Sequence, residues 1–245
     1  MRKRKIVKSK NMTEIYDSLF IRSYQGKGKR PRLPKQKPTV EDVRRNNLRM
    51  AKAKLRMLID NNFVEDDYYL TLTFKNQLDP DECKKAIQKY VRDLRKQYKQ
   101  QSKELKYIYF AEEKGHIHFH MLVNRSIELT TNMMRKLWPY GFIKIEYFRG
   151  DAEDAIRLAE YHTKERNVFD DTDEPRVFRR TWVKSNNVQP PEEKTKILKA
   201  TEWKNEVKVP NGYYLDKESY FEGVNNAGYP FRFYRLIKIR GVQRE

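Results

Sequence analysis

Cysteine is almost absent from this chain of 245 residues, since Cys83 is the only one. One cysteine cannot form an intrachain disulfide or supply the thiolates of a four-cysteine zinc site. No run of about 18 apolar residues occurs, so a membrane-spanning segment is not expected. The basic start MRKRKIVKSK is followed by no apolar stretch or small-residue cleavage site, so a secretory signal is not expected either. These absences predict a cytoplasmic protein.

A phosphate-binding loop of the GxxxxGK[ST] type is also missing, so a built-in helicase is not expected. Charge, in contrast, is abundant and unbalanced, with 53 Lys and Arg against 34 Asp and Glu and a net charge of +19. Residues 1–60 hold 19 basic and 5 acidic side chains. This asymmetry indicates a polyanionic partner, above all nucleic acid. An anionic membrane surface and a merely solubilising tail are the alternatives.

Composition divides the chain into three predicted parts. Residues 1–38 are predicted to be a flexible basic arm, because QGKGKRPRLPKQKP is rich in Gly, Pro and cations. Residues 39–185 are predicted to form one domain that begins with a basic helix, and residues 186–245 a C-terminal extension packed on that domain. The cations predicted to contact DNA are Arg44, Arg45, Arg49, Lys52, Arg179 and Arg180.

Periodicity predicts the element order β-α-β-β-α-β-α in the central part of the chain. The strands are predicted at 66–74, 106–112, 116–123 and 142–148, and the helices at 79–101, 130–138 and 151–165. This order predicts an α+β fold of the split βαβ type, with a central antiparallel sheet of about five strands and helices mainly on one face. The other face would be open to a ligand. A further strand is predicted in GYPFRFYRLIKIR.

Three of the four histidines stand at alternate positions of the strand 116–123. Side chains two residues apart on a strand share a face, so His116, His118 and His120 are predicted to project together. Two imidazoles and a carboxylate from a neighbouring strand could hold a divalent ion with open positions for substrate. Glu112 and Glu113 are the candidate carboxylates. The alternative is a surface strand whose histidines only form hydrogen bonds.

A metal site in a basic protein indicates phosphodiester chemistry, which also needs a nucleophile. Tyr161 and Lys164 are three residues apart and share a helix face, so the lysine could favour the phenolate. The Tyr-x-x-Lys pattern alone is weak in a chain with 16 tyrosines, and it depends on its partners. Thr71 and Thr73, on the polar face of the first strand, are further possible site residues.

Three motifs in this order resemble the HUH endonucleases that initiate rolling-circle replication of bacterial plasmids and single-stranded DNA phages. They are YLTLTF at 69–74, HFH at 118–120 and YHTK at 161–164. The resemblance covers about residues 60–185 and implies the ferredoxin- or RRM-like HUH fold. It also implies single-stranded or hairpin DNA at a replication origin as partner, with a host helicase and polymerase in the bacterial cytoplasm.

The resemblance assigns roles to the motif residues. His118, His120 and Glu112 would be ligands of Mg²⁺ or Mn²⁺, with Glu113 as the alternative to Glu112. Tyr161 would attack the scissile phosphate, forming a 5′-phosphotyrosine and freeing a 3′-hydroxyl. Lys164 would orient or neutralise the phosphate, and a single tyrosine leaves the termination step open. His116 departs from the commonest family pattern, so its role is also open.

Other functions fit some of the same residues. A single-tyrosine HUH transposase shares the metal and the nucleophile, whereas a conjugative relaxase fits poorly because its tyrosine lies near the N-terminus. A non-catalytic nucleic-acid-binding protein could stack bases on Tyr69 and Trp182. A zinc hydrolase with three histidine ligands would need no covalent step. The oligomeric state is left open.

Overall fold

The computed structural model describes residues 1–19, 39–113, 116–164, 178, 180, 182–199, 203, 206–224 and 229–240. These residues form ten strands and four helices. The strands are β1 (Arg2–Lys8), β2 (Met12–Leu19), β3 (Tyr68–Leu72), β4 (Tyr107–Glu112), β5 (His118–Val123), β6 (Ile143–Tyr147), β7 (Val183–Lys184), β8 (Glu192–Leu198), β9 (Tyr213–Val224) and β10 (Pro230–Lys238). The helices are α1 (Val40–Asn62), α2 (Pro80–Gln100), α3 (Thr131–Lys136) and α4 (Ala152–Lys164). None of the described helices is long and apolar enough to span a membrane.

The described strands make two antiparallel five-stranded sheets, which belong to two compact units. Residues 48–189 form one unit, with the strand order β6-β3-β5-β4-β7. Residues 1–47 and 190–245 form the other, with the order β8-β1-β2-β10-β9. The predicted α+β class is confirmed, and the first of these sheets is the predicted central one. We call them the histidine sheet and the terminal sheet.

Helix α2 covers one face of the histidine sheet. It begins at Asp79, whose side chain accepts hydrogen bonds from the backbone N–H groups of Asp81 and Glu82, so the charged start seen in the sequence acts as an N-cap. A stripe at helical spacing then turns inward and joins the apolar residues of β3 and β5 in one core. Its fully buried members include Ile87, Tyr90, Leu94, Tyr98, Leu70, Leu72, Phe119 and Met121. This packed layer fixes the strands from below.

Helix α4 contacts the opposite face, which carries the histidines. The ring of His162 stacks on Phe110 of β4 with centroids 3.8 Å apart, and its Nε2 lies 3.0 Å from the Tyr69 hydroxyl of β3. Phe110 pairs with His120 across β4 and β5, so all of these residues share one face. In addition to the predicted helix layer, the sheet therefore has a helix over the face that was expected to be open.

The terminal sheet corrects one expectation from composition. Residues 2–8 and 12–19 form the paired strands β1 and β2, so the prediction of a flexible arm is wrong for these residues. Their apolar side chains Val7, Met12 and Ile15 are buried. The charged local sequence hid this, because much of the pairing comes from the distant strands β8 and β10. The rest of the predicted arm, 20–38, lies outside the described residues.

The C-terminal segment supplies the other three strands of the terminal sheet. The late strand predicted in GYPFRFYRLIKIR is confirmed as β10, which pairs with β2, while β8 pairs with β1. Buried ion pairs join these strands: Asp17 binds Arg4 at 2.7 Å and Arg232 at 3.2 Å. The predicted packing of residues 186–245 on the endonuclease-like domain stays a prediction, as do the domain limits.

Candidate metal centre and active site

Strand register brings the predicted site residues onto one face of the histidine sheet. In the β3–β5 ladder Thr71 stands opposite His120, and in the β4–β5 ladder Glu112 stands opposite His118. Directly opposed residues on neighbouring strands point to the same side, with Cβ atoms about 4.5–5.5 Å apart. Alternation therefore sends Phe119 and Met121 into the core while their neighbours meet on the other face.

Glu112, His118 and His120 form a compact cluster. Glu112 Oε2 lies 3.2 Å from Nε2 of His118 and 3.2 Å from Nε2 of His120. One ligand atom from each of the three side chains falls within 4.8 Å of the others, and this is the one such group among the residues that the structure describes. Two imidazole nitrogens and a carboxylate oxygen suit a divalent cation and leave positions for substrate. The donor set therefore fits a metal ion.

The far side of each imidazole is held by a hydrogen-bonding group. Nδ1 of His118 lies 3.0 Å from the carbonyl oxygen of His116, and Nδ1 of His120 lies 3.2 Å from the Thr71 hydroxyl. Such contacts fix ring orientation, leaving both Nε2 atoms directed at Glu112. Burial, together with the neighbouring His118, lowers the pKa of His120 below its ordinary value. The neutral imidazole is the form that binds metal.

Tyr161 reaches this cluster from α4. Its hydroxyl lies 3.4 Å from Glu112 Oε2, the oxygen that also contacts both histidines, and its ring centroid is 5.9 Å from that of His120. The residue is 45% exposed, so a ligand from solvent can approach the phenol. Lys164 is the last residue of the same helix, and its side chain lies outside the described part of the structure.

Other residues singled out in the sequence lie near the cluster without joining it. Glu113 accepts a hydrogen bond from the backbone N–H of Phe178 through Oε1 at 3.2 Å. The Thr73 hydroxyl donates to the carbonyl of Phe142 at 3.1 Å. His116 is exposed and supplies its backbone carbonyl to His118. The structure thus groups Glu112 with the histidines and places Glu113 elsewhere.

Two site residues had no assigned role in the sequence: His162 and, beyond possible base stacking, Tyr69. His162 is 7% exposed, and burial, with the nearby His120 and His118, holds its pKa well below the ordinary histidine value. Burial also raises the pKa of Tyr69. Both groups therefore stay neutral, and their hydrogen bond pins α4 to the sheet beside Tyr161. The available signal was the alternation that puts Tyr69 on the same face as Thr71.

The predicted DNA-contacting cations lie mainly on α1. Arg44, Arg45 and Arg49 are exposed, and Lys52 is half-buried. Arg45 forms an exposed pair with Glu41 at 3.4 Å, an interaction too weak to hold it away from phosphate. Arg180 is exposed, whereas Arg179 lies outside the described residues. Their role in binding DNA stays a prediction.

The fold and the cluster together define a class of protein. An α+β sheet with a His-hydrophobic-His strand, a carboxylate on the adjacent strand and a tyrosine on a facing helix is compatible with the HUH motif and its split βαβ fold.

Within that class, residues 67–166 match the family model described as replication-associated protein ORF2, a rolling-circle replication initiator family. The matched range includes the metal cluster and Tyr161. The resemblance to rolling-circle initiators is thus confirmed for this part of the chain, and it supports an initiator role with DNA at a replication origin as the partner. No curated protein and no solved structure matches the chain.

Proposed function

We propose that this protein nicks single-stranded or hairpin DNA at a replication origin and stays bound to the cut strand through Tyr161, so that rolling-circle replication can begin. One observation carries the proposal: a single carboxylate oxygen, Glu112 Oε2, lies within 3.4 Å of the Tyr161 hydroxyl and within 3.2 Å of both imidazoles. One phosphate placed over the cluster would meet the phenol and the metal ligands together.

In this proposal His118, His120 and Glu112 hold a divalent ion, Mg²⁺ or Mn²⁺. When bound, the ion would polarise the phosphate and stabilise negative charge on its oxygens. The chain's own residues set the geometry around it. Thr71 and the His116 carbonyl orient the two rings, and the buried pair of Tyr69 and His162 fixes the helix that carries Tyr161.

The chemical step uses Tyr161 as the nucleophile. The phenol oxygen attacks phosphorus, the bond from phosphorus to the 3′-oxygen breaks, and the products are a 5′-phosphotyrosine and a 3′-hydroxyl that can prime synthesis. The phenol gives up its proton and the departing 3′-oxygen gains one. Lys164, which ends the same helix three residues on, is proposed to neutralise the phosphate. The exposed cations of α1 are proposed to bind the DNA backbone.

Replacing Tyr161 tests the covalent step. Tyr161→Phe should abolish nicking of a labelled origin oligonucleotide and the protein–DNA adduct on a denaturing gel, while binding changes little because only a hydroxyl is removed. Tyr147→Phe is a matched control, since Tyr147 is 54% exposed and its partner in the register, Tyr68, belongs to the core of the same sheet. Cleavage by Tyr161→Phe at the normal rate would refute the mechanism.

The transposase remains the second candidate, because it would use the same residues. The match to the replication-associated family favours the initiator. The substrate separates them: selective nicking of an origin hairpin supports the initiator, and selective nicking of transposon-end hairpins supports the transposase. A host helicase and polymerase, and hence the cytoplasm of a bacterial host, belong to the initiator proposal.

Metal dependence separates the nickase from a zinc hydrolase. EDTA should stop cleavage, and Mg²⁺ or Mn²⁺ should restore it. Recovery with Zn²⁺ alone, and without a covalent adduct, would favour the hydrolase.

A further inference from the structure

Four aromatic rings gather on one face of the terminal sheet, on the adjacent strands β2, β10 and β9. Tyr16 stands opposite Phe233, and Phe233 stands opposite Phe221. Phe231, two residues from Phe233 on the same strand, shares their side. The ring centroids of Tyr16 and Phe233 are 4.8 Å apart, and those of Phe221 and Phe231 are 5.6 Å apart. We call this surface the aromatic face.

The aromatic face is exposed although it is apolar. Phe221 is 54% exposed, and the other three residues are half-buried. The apolar cluster of this unit contains Ile15, Tyr234 and Leu236, which alternate with Tyr16 and Phe233 and so project from the other side of the sheet. Neighbouring exposed aromatic rings cost hydration free energy, and such patches typically mark binding sites.

A glycine lets the rings meet. Gly223 lies on β9 opposite Phe231, and a Cβ atom there would come within 3.1 Å of the Phe221 ring and 3.3 Å of the Phe231 ring. Those distances are tighter than ordinary contacts, so a side chain would push the two rings apart. The backbone at this position is therefore suited to a continuous aromatic surface across two strands.

Positive charge borders the aromatic face. The row of Phe221, Phe233 and Tyr16 continues onto β1 at Lys5, and the next row reaches Lys3 through Ser18. Lys3 is exposed, and Lys5 forms an exposed ion pair with Glu193 at 2.9 Å. The unit as a whole, residues 1–47 and 190–245, has 26 Lys and Arg against 12 Asp and Glu, a net charge of +14. The remaining 142 residues have a net charge of +5.

We propose that the aromatic face is a second DNA-binding site, where bases of single-stranded DNA stack on Phe221, Phe231, Phe233 and Tyr16 while Lys3 and Lys5 contact phosphates. Stacking on aromatic side chains beside cations is the general way in which proteins bind single strands without reading sequence. A duplex would fit poorly, because its bases already stack on one another. The site extends the proposed function but does not depend on the chemistry at Tyr161.

Binding of the full-length protein to a labelled oligothymidylate, followed by fluorescence anisotropy in EDTA, tests this proposal without any cleavage. Phe221→Ala and Phe231→Ala should each weaken binding roughly 5- to 100-fold. Val224→Ala is the matched control, since Val224 is 65% exposed on the same strand and opposite Pro230, on the other side of the sheet. Normal affinity in both Phe variants, or an equal loss in the control, would overturn the proposal.

Two further variants of Phe221 separate stacking from folding. Phe221→Trp should keep or increase affinity, and its fluorescence should fall when DNA binds, whereas Phe221→Leu should bind as weakly as Phe221→Ala. Full affinity in the Leu variant would mean that apolar packing suffices, and the stacking site would be wrong. Altered sedimentation with unchanged DNA affinity would instead identify the face as a contact between two copies of the chain.

A pair of lysine variants tests the phosphate contact. Lys3→Gln should lower the slope of log affinity against log salt by roughly 0.7, the value for one lost phosphate contact on a single strand. Lys196→Gln removes the same charge from β8 at the position opposite Arg4, on the other face, and should leave the slope unchanged. Equal effects would show that the overall charge alone attracts DNA. If origin nicking fails while these patterns hold, only the proposed chemistry is wrong.

Discussion

The two sheets of this protein have the same number of strands and treat polar side chains in opposite ways. In the histidine sheet each strand separates them, so that Leu70 and Phe119 lie in the core while Thr71 and His120 meet on the other face. In the terminal sheet charged residues are buried together as pairs, as with Asp17 and its two arginines. Polar residues of the first sheet therefore serve chemistry, whereas those of the second hold strands together.

The difference predicts different responses to substitution. A charge buried beside its partner offsets much of the cost of leaving water, and removing one partner leaves the other uncompensated. Single changes in the terminal sheet should therefore lower stability. Changes on the polar face of the histidine sheet should lower activity and leave the fold intact, because the apolar core below it is untouched.

The largest expected effect on stability is that of Asp17→Ala. Its carboxylate is buried and binds Arg4 at 2.7 Å and Arg232 at 3.2 Å, so its removal should lower the free energy of unfolding by about 3 kcal/mol. Denaturant titration measures the loss. Glu193→Ala, which breaks an exposed pair with Lys5, should cost less than about 1 kcal/mol. Similar losses in both variants would break the comparison.

The largest expected effect on activity alone is that of Glu112→Gln. Losing the charged ligand should reduce nicking at least about 100-fold, since metal-ion charge stabilisation contributes several kcal/mol to such reactions. Stability in EDTA should change little. Glu113→Gln is the control: Glu113 accepts its bond from Phe178, and the amide oxygen of glutamine can do the same. Equal loss of nicking in both variants would contradict the proposed cluster.

A smaller effect is expected from Tyr69→Phe, which removes the hydrogen bond to His162. The loss should lower stability by about 1 kcal/mol and slow nicking, because α4 is less firmly held at the cluster. Tyr90→Phe serves as a control. The Tyr90 hydroxyl is buried with no hydrogen-bond partner among the described residues, so its removal should be neutral or stabilising. Unfolding curves and nicking rates on the same samples measure both effects.

The smallest expected effect is a dependence of stability on acid. Burial by itself raises the pKa of Asp17, but the hydrogen bond from Arg4 and the nearby arginines outweigh it and hold the pKa below its usual value near 3.8. The unfolded chain therefore takes up this proton more readily than the folded one. The stabilisation is present above the unfolded pKa and is lost as pH falls through the folded pKa.

Comparison with Asp17→Asn isolates this titration. The wild-type denaturation midpoint should fall more steeply with acid than that of the variant, which has no carboxyl to protonate at this position. Parallel curves for the two proteins would show that Asp17 does not contribute.

Much of the candidate site was legible in the sequence because its signals are local. Period-two alternation placed His118 and His120 on one side of a strand, and helical spacing placed Tyr161 and Lys164 on one helix face. The choice between Glu112 and Glu113 was not local, since it depends on how β4 pairs with β5. A shift of one residue would exchange the two carboxylates between faces.

The sequence by itself determined the α+β elements of the histidine sheet, its N-cap at Asp79 and the chemical groups of the site, since these follow from the short-range geometry of helices and strands. Tertiary structure alone decided that Glu112 joins the histidines, that His162 anchors α4, and that residues 2–19 pair with strands more than 170 positions away. Pairing over such separations depends on which partner strand compensates buried charge, and no local pattern contains that information.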